Sequence, residues 1–233
     1  MNRNVIKFIA AFSMFLDHFA VAILDVNSTI YLVFRILGRI AFVLFAYMIA
    51  EGFFKTSNLK KYFLRLLAFA VAIELFIIGY FFVSGVDYIL HFNVIWPLVF
   101  GLLGLIILKQ KKIWFRLLVI PLVFLAEYIN TPYGAYGVLM IMIFALYQNN
   151  VTKLLFLIAL NFLFIEVPLL SYLNLGHLAR YESDMWWQWC SLVPMIFIFL
   201  YNGKLGKLNT KWFFYIFYPL HLVVIYLIQF IFF

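Results

Sequence analysis

The chain has 233 residues, of which 68% are hydrophobic, 22% aromatic and only 11% charged, with a formal net charge of +8. So little charge excludes a soluble domain, because it cannot cover a globular surface. The basic excess does not require nucleic acid, since membrane topology and anionic lipid account for it.

Apolar runs approaching the roughly 20 residues that cross a bilayer recur along the chain. They fall at residues 6–24, 30–50, 62–82, 92–108, 114–129, 134–147, 154–172, 186–201 and 212–232. This predicts an all-α, polytopic membrane helical bundle of about nine transmembrane helices, forming one domain over residues 1–233. Pro132 and Gly134 mark either a turn between the fifth and sixth runs or a break in one re-entrant element. Arg3, Lys7, Lys55, Lys60, Lys61, Arg65, Lys109, Lys111, Lys112, Arg116, Lys153, Lys204, Lys207 and Lys211 gather on one side, against Arg180 on the other. The positive-inside rule then predicts a multi-pass cell-membrane protein with a cytoplasmic N-terminus, and Asp25, Asp87, Glu182 and Asp184 in outer loops. Arg3 and Lys7 before an apolar run ending in Ala20-Val21-Ala22 imitate a secretory signal. Asp17 and His18 inside that run, and the runs that follow, predict a permanent first helix instead. The single Cys190 excludes an internal disulfide framework, no Walker or Rossmann glycine pattern occurs, and no metal site is expected.

Ionisable residues within the apolar runs point to a site, because each costs roughly 2.5–3.5 kcal/mol at a helix centre on insertion scales. Asp17 and His18 lie in the first run, Arg35 and Arg39 in the second. Lys7 and His18 are eleven positions apart, which at about 100° per residue returns to one face within ~20° after a rise of ~16 Å. Ala11, Met14 and Ala22 share that stripe and leave room for something to approach. Asp17 points about 100° from His18 and is better placed to pair with an arginine of the next helix. Arg35 and Arg39, four apart, exceed what one carboxylate neutralises, and the surplus suggests an anionic ligand. Glu74, Asn93, Glu127, Glu166 and Gln188 fall at comparable depth, and the last run adds Tyr215, Tyr218 and His221 around Pro219. Together they suggest a polar chamber toward the outer half.

Several segments in order resemble the TraX family of membrane proteins. They are Ile6-Lys7-Phe8-Ile9-Ala10 leading to Met14-Phe15-Leu16-Asp17-His18, Gly38-Arg39-Ile40-Ala41-Phe42 through Ala50-Glu51-Gly52-Phe53, and Lys61-Tyr62-Phe63-Leu64-Arg65-Leu66. The Asn93 position, Tyr133-Gly134-Ala135-Tyr136-Gly137-Val138, Tyr201-Asn202-Gly203 and Phe213-Phe214-Tyr215-Ile216-Phe217-Tyr218-Pro219-Leu220-His221-Leu222 continue the likeness. The resemblance implies a membrane acetyltransferase, the family's namesake being linked to N-terminal acetylation of a pilus subunit. The family also looks distantly related to wider transmembrane acyltransferases, whose first helix carries a basic residue, ten intervening residues and a histidine. Lys7 and His18 match that spacing. The arginine motif of those enzymes has two residues between its arginines, whereas Arg35 and Arg39 have three.

The expected function is acyl transfer from a cytoplasmic acyl-CoA, with acetyl-CoA as donor, to an amine or hydroxyl acceptor (a peptide N-terminus or a glycan) on the outer side. His18 would act as general base or acyl carrier, with Asp17 holding the site together and Arg39 stabilising negative charge. Lys7, Arg35, Arg39, Asn93, Tyr218 and His221 would bind the donor. Each has a structural alternative: His18 bonded to a carbonyl, Asp17 in a structural ion pair, Tyr218 and His221 packing in the core, Glu51 snorkelling. A proton-coupled transporter or a scaffold using polar pairs between helices are the rival classes.

Overall fold

The structure, a computed structural model, describes residues 1–84, 92–129, 131–166, 186–208, 210 and 212–232. Every regular element among them is helical. Among the described residues, four helices are long and apolar enough to cross a membrane: Arg3–Ile23, Thr29–Lys55, Leu59–Ser84 and Phe213–Ile231. The first has 21 residues, about 31 Å at 1.5 Å per residue, which matches the hydrocarbon thickness. Large apolar side chains such as Phe12, Leu75, Phe82, Ile216 and Phe230 point outward from these helices. Such a surface belongs in lipid.

The described residues form two compact units, Met1–Phe45 with Met185–Phe233, and Ala46–Asp184. The first contains α1 (Arg3–Ile23), the first part of α2 (Thr29–Lys55), a 3-10 helix (Trp186–Leu192), α9 (Met195–Phe199) and α10 (Phe213–Phe232). Helix α1 starts where the Asn2 side chain accepts from the amides of Asn4 and Val5, satisfying two otherwise orphaned donors. The stretch after α9 holds this start in place. The Arg3 amide donates to the Lys204 carbonyl, that of Asn202 to Met1, and Asn4 Nδ2 to Leu208. Gly206 lies so close to Asn4 that a Cβ would overlap its amide group. Between α1 and α2, Ser28 Oγ accepts from the Tyr31 amide and donates to the Asp25 carbonyl, which caps α2 at its expected start.

The second unit contains the end of α2, then α3 (Leu59–Ser84), α4 (Ile95–Leu108), α5 (Ile113–Leu117), α6 (Val119–Tyr128), α7 (Gly134–Leu146) and α8 (Asn150–Asn161), which runs into a π-turn at Phe162–Glu166. Helix α7 is apolar and buried nearly all round, so it is the core of this unit. Gly101 and Gly104 of α4 lie directly against Ile141 and Met142 of α7; a Cβ at either would overlap them. Tyr136 of α7 donates to Asn161 Oδ1 at 2.7 Å, pairing two fully buried polar groups.

Several expected spans are shorter or divided. The fifth, expected over 114–129, is split at Leu118 into α5 and α6, because Pro121 has no N–H for the Leu117 carbonyl. The eighth, expected over 186–201, becomes a 3-10 helix and α9, divided just before Pro194. The fourth and sixth are helices of 14 and 13 residues. Of the seventh, residues beyond 166 lie outside the described residues, as do Asp87, Arg180, Glu182, Asp184 and Lys211. The alternatives at Pro132 resolve to a turn: Tyr133 takes φ 62°, Gly134 φ 35°, and the Gly134 amide donates to the Thr131 carbonyl.

Candidate functional site

Helix α2 meets α1 where Gly38 faces Asp17, a contact so close that a Cβ at Gly38 would overlap the carboxylate side chain. The four-residue spacing of Arg35 and Arg39 puts both guanidinium groups on that face. Arg35 Nη1 lies 2.7 Å and Arg39 Nη2 3.0 Å from the same oxygen, Asp17 Oδ1. Arg39 Nε also donates to the Arg35 carbonyl at 3.3 Å, and its Nη1 to Gln188 Oε1 at 3.3 Å. Among the described residues, both guanidinium groups share this one carboxylate, in a mostly buried place. The expectation that Asp17 pairs with an arginine rather than orienting His18 is met.

His18 finds its partner on the last helix. Its Nδ1 is 2.7 Å from His221 Nε2, and His221 Nδ1 is 3.0 Å from the Phe217 carbonyl oxygen. A carbonyl only accepts, so His221 Nδ1 carries hydrogen and, in the neutral ring, His221 Nε2 presents a lone pair. His18 Nδ1 must then be the donor to it. Neutral His18 is left with its basic lone pair on Nε2, where it makes no hydrogen bond among the described residues. Phe217 stacks on His221 at 5.2 Å, and Tyr218 stands edge-on to both imidazoles at 6.1 and 5.2 Å. Pro219 sits within this turn of α10.

The stripe of α1 is not an open lane. Ala11 and Met14 are 2% and 3% exposed, and α10 packs along α1, with Phe8 edge-on to Phe213 at 4.9 Å. The small residues that were expected to leave space for a ligand instead admit close packing. Lys7 stays at the far end, donating to Thr210 O and Oγ1 at 3.0 Å each and lying 5.7 Å from the Phe214 ring. It has no carboxylate partner among the described residues.

The remaining candidates belong to the second unit or lie outside the described residues. Asn93 caps α4 through Oδ1 to the Ile95 amide, and its Nδ2 donates to the Ala70 carbonyl and Glu74 Oε2. Glu74 Oε2 also accepts from the Asn93 amide and Trp96 Nε1. Glu127 accepts from the Ala135 amide at 2.7 Å and caps α7, and Glu51 pairs with Lys55 at 2.7 Å. The Glu166 side chain is outside the described residues. No group of three metal-ligating side chains occurs among the described residues.

One cavity of about 330 Å³ lies beside the cluster, lined by residues 26–29 with Tyr31, Leu32, Arg35 and Trp187. It places the Arg35 end of the cluster on an open mouth with hydroxyl, amide and aromatic walls. The sequence places Gln188 in the polar chamber without pairing it to Arg39, and does not pair His18 with His221. The signals for both were an uncharged amide and a histidine inside apolar runs.

Residues 2–229 match the family described as TraX protein. The chain belongs to the TraX family. A TraX relative, the probable fimbrial assembly protein FimC, serogroup H1, of Dichelobacter nodosus, is 28% identical over 242 residues, covering 97% of each chain. No solved structure matches this TraX protein.

Proposed function

We propose that this TraX protein is an integral-membrane acyltransferase that moves an acetyl group from cytoplasmic acetyl-CoA to an acceptor on the opposite side. In this reading the N-terminus is cytoplasmic and the chain crosses the membrane about nine times, with the shorter helices completing the crossings. The observation that carries the reading is His18, whose Nδ1 is committed to His221 and whose Nε2 remains basic, one residue from the carboxylate that holds Arg35 and Arg39. A general base needs a lone pair held toward the acceptor, and a developing oxyanion needs fixed cations in a dry site.

His18 Nε2 takes the proton of the attacking amine or hydroxyl, and Arg39 stabilises the negative charge on the acyl oxygen. Asp17 keeps the two arginines in register. Lys7, lacking a carboxylate partner among the described residues, suits a donor phosphate. The cavity at Arg35 and Trp187 admits the acceptor. Likeness to a fimbrial assembly protein makes the N-terminal amine of a fimbrial or pilus subunit the first acceptor to test.

The test is release of CoA thiol from acetyl-CoA by detergent-purified protein, with peptide amines and glycans supplied, beside a folded His18→Ala variant. Turnover that disappears in the variant supports the reading. No turnover and no thermal stabilisation by CoA in either form turns it toward the transporter.

A further inference from the structure

Gln188 sits in the 3-10 helix with 0% of its surface exposed. Its Oε1 accepts from Arg39 Nη1. A guanidinium has only donors, so this bond fixes which arm of the amide is oxygen and leaves Nε2 on the other arm. Buried Nε2 has no hydrogen-bond partner among the described residues. Flipping the amide would set NH₂ against guanidinium and cure nothing. Orphaned buried donors are few in native proteins because each forfeits its hydration, so one held rigidly beside a buried cation calls for an acceptor from outside the chain. Gln188 and Arg39 do not line the cavity, but their neighbours do: Trp187, next to Gln188 in the chain, and Arg35, one turn from Arg39.

We propose that Gln188 Nε2, with the charge of Arg39 beside it, receives a ligand oxygen bearing negative charge. The identity of that oxygen rests on the acyl-transfer reading: it is the carbonyl oxygen of the thioester. The acceptor's nitrogen or oxygen attacks the carbonyl carbon, forming the new bond as the carbonyl π pair moves onto oxygen. Gln188 Nε2 donates to this oxyanion. Its collapse restores C=O and breaks the C–S bond, releasing CoA thiolate. The proton lost by the acceptor passes to His18 Nε2 and from there to the thiolate sulfur. Gln188 is thus a catalytic residue that donates one hydrogen bond at the moment charge develops.

Gln188→Glu keeps an oxygen toward Arg39 and replaces the donor by an acceptor at unchanged size. The expected result is a melting temperature at or above that of the wild type, with kcat for CoA release lowered about 100-fold and KM little changed. Acetate and inorganic phosphate, used as bare oxyanion probes, raise the melting temperature of the wild type and not of the variant. Gln188→Met, which has no donor, serves as the second variant and is expected to lose turnover equally. Equal turnover in wild type and either variant overturns the proposal and leaves acyl transfer standing. Stabilisation by acetate or phosphate that needs Gln188, in a wild type without acetyl-CoA turnover, keeps the oxyanion site and removes the acyl-transfer reading. If neither probe stabilises the wild type and no turnover occurs, both fall.

Discussion

The chemistry at His18 depends on which ring nitrogen carries hydrogen, and that is settled from the Phe217 carbonyl inward. One acceptor-only atom dictates the state of His221, which dictates that of His18. Side-chain ¹⁵N spectra at neutral pH are therefore expected to show His18 protonated at Nδ1 and unprotonated at Nε2; the opposite tautomer would contradict the assignment. His221→Ala removes the constraint and is expected to lower turnover at least about 100-fold, the lower end of what a general base contributes. Asp17→Asn leaves two guanidinium groups without their carboxylate and is expected to cost about 3 kcal/mol, read as a lowered melting temperature in detergent. At this scale the sequence discloses the Asp17–arginine pairing, because helical spacing puts the groups on facing stripes. It does not disclose His18–His221, separated by 203 positions, since periodicity orients a helix and does not name its neighbour.

Helix packing here is decided by a few places where backbone must come close. Gly38 lets Asp17 reach both arginines, so Gly38→Ala is expected to push α1 from α2 and lower both stability and turnover. A structure of that variant with the Asp17 contacts intact would refute this. Glu127 caps α7 across a turn whose Gly134 has φ 35°, with no room for a Cβ beside the carboxylate. Glu127→Ala is expected to cost about 1 kcal/mol, as loss of a helix cap does, without changing acyl transfer. Proline marks both spans that the structure divides, at Pro121 and Pro194. An apolar window cannot distinguish a straight span from α5 and α6 broken before Pro121, because the missing N–H does not alter hydrophobicity. Pro219, by contrast, stays inside α10.

For the whole molecule, composition alone gives the helical membrane class, and the four long helices agree with it. Orientation is carried by the charge asymmetry. In a Cys190→Ser background, a cysteine at Asn27 is expected to react with an impermeant maleimide on intact cells, and one at Ser57 only after permeabilisation. The reverse pattern would invert the topology and place the Arg35 cavity on the cytoplasmic side. The stripe on α1 does not disclose its own use, because a face lined by small residues fits a neighbouring helix as well as a ligand; burial of Ala11 and Met14 assigns it to packing.

The proposed function makes His18 the base for acetyl transfer across the membrane. The direct measurement uses oriented proteoliposomes with radiolabelled acetyl-CoA on the Ser57 side and a peptide bearing a free N-terminal amine on the Asn27 side. Label is expected on the peptide, with one CoA thiol released per acetyl transferred, and neither with His18→Ala. Peptide that stays unlabelled with folded wild-type protein, across amine and hydroxyl acceptors, or equal labelling by His18→Ala, would contradict it.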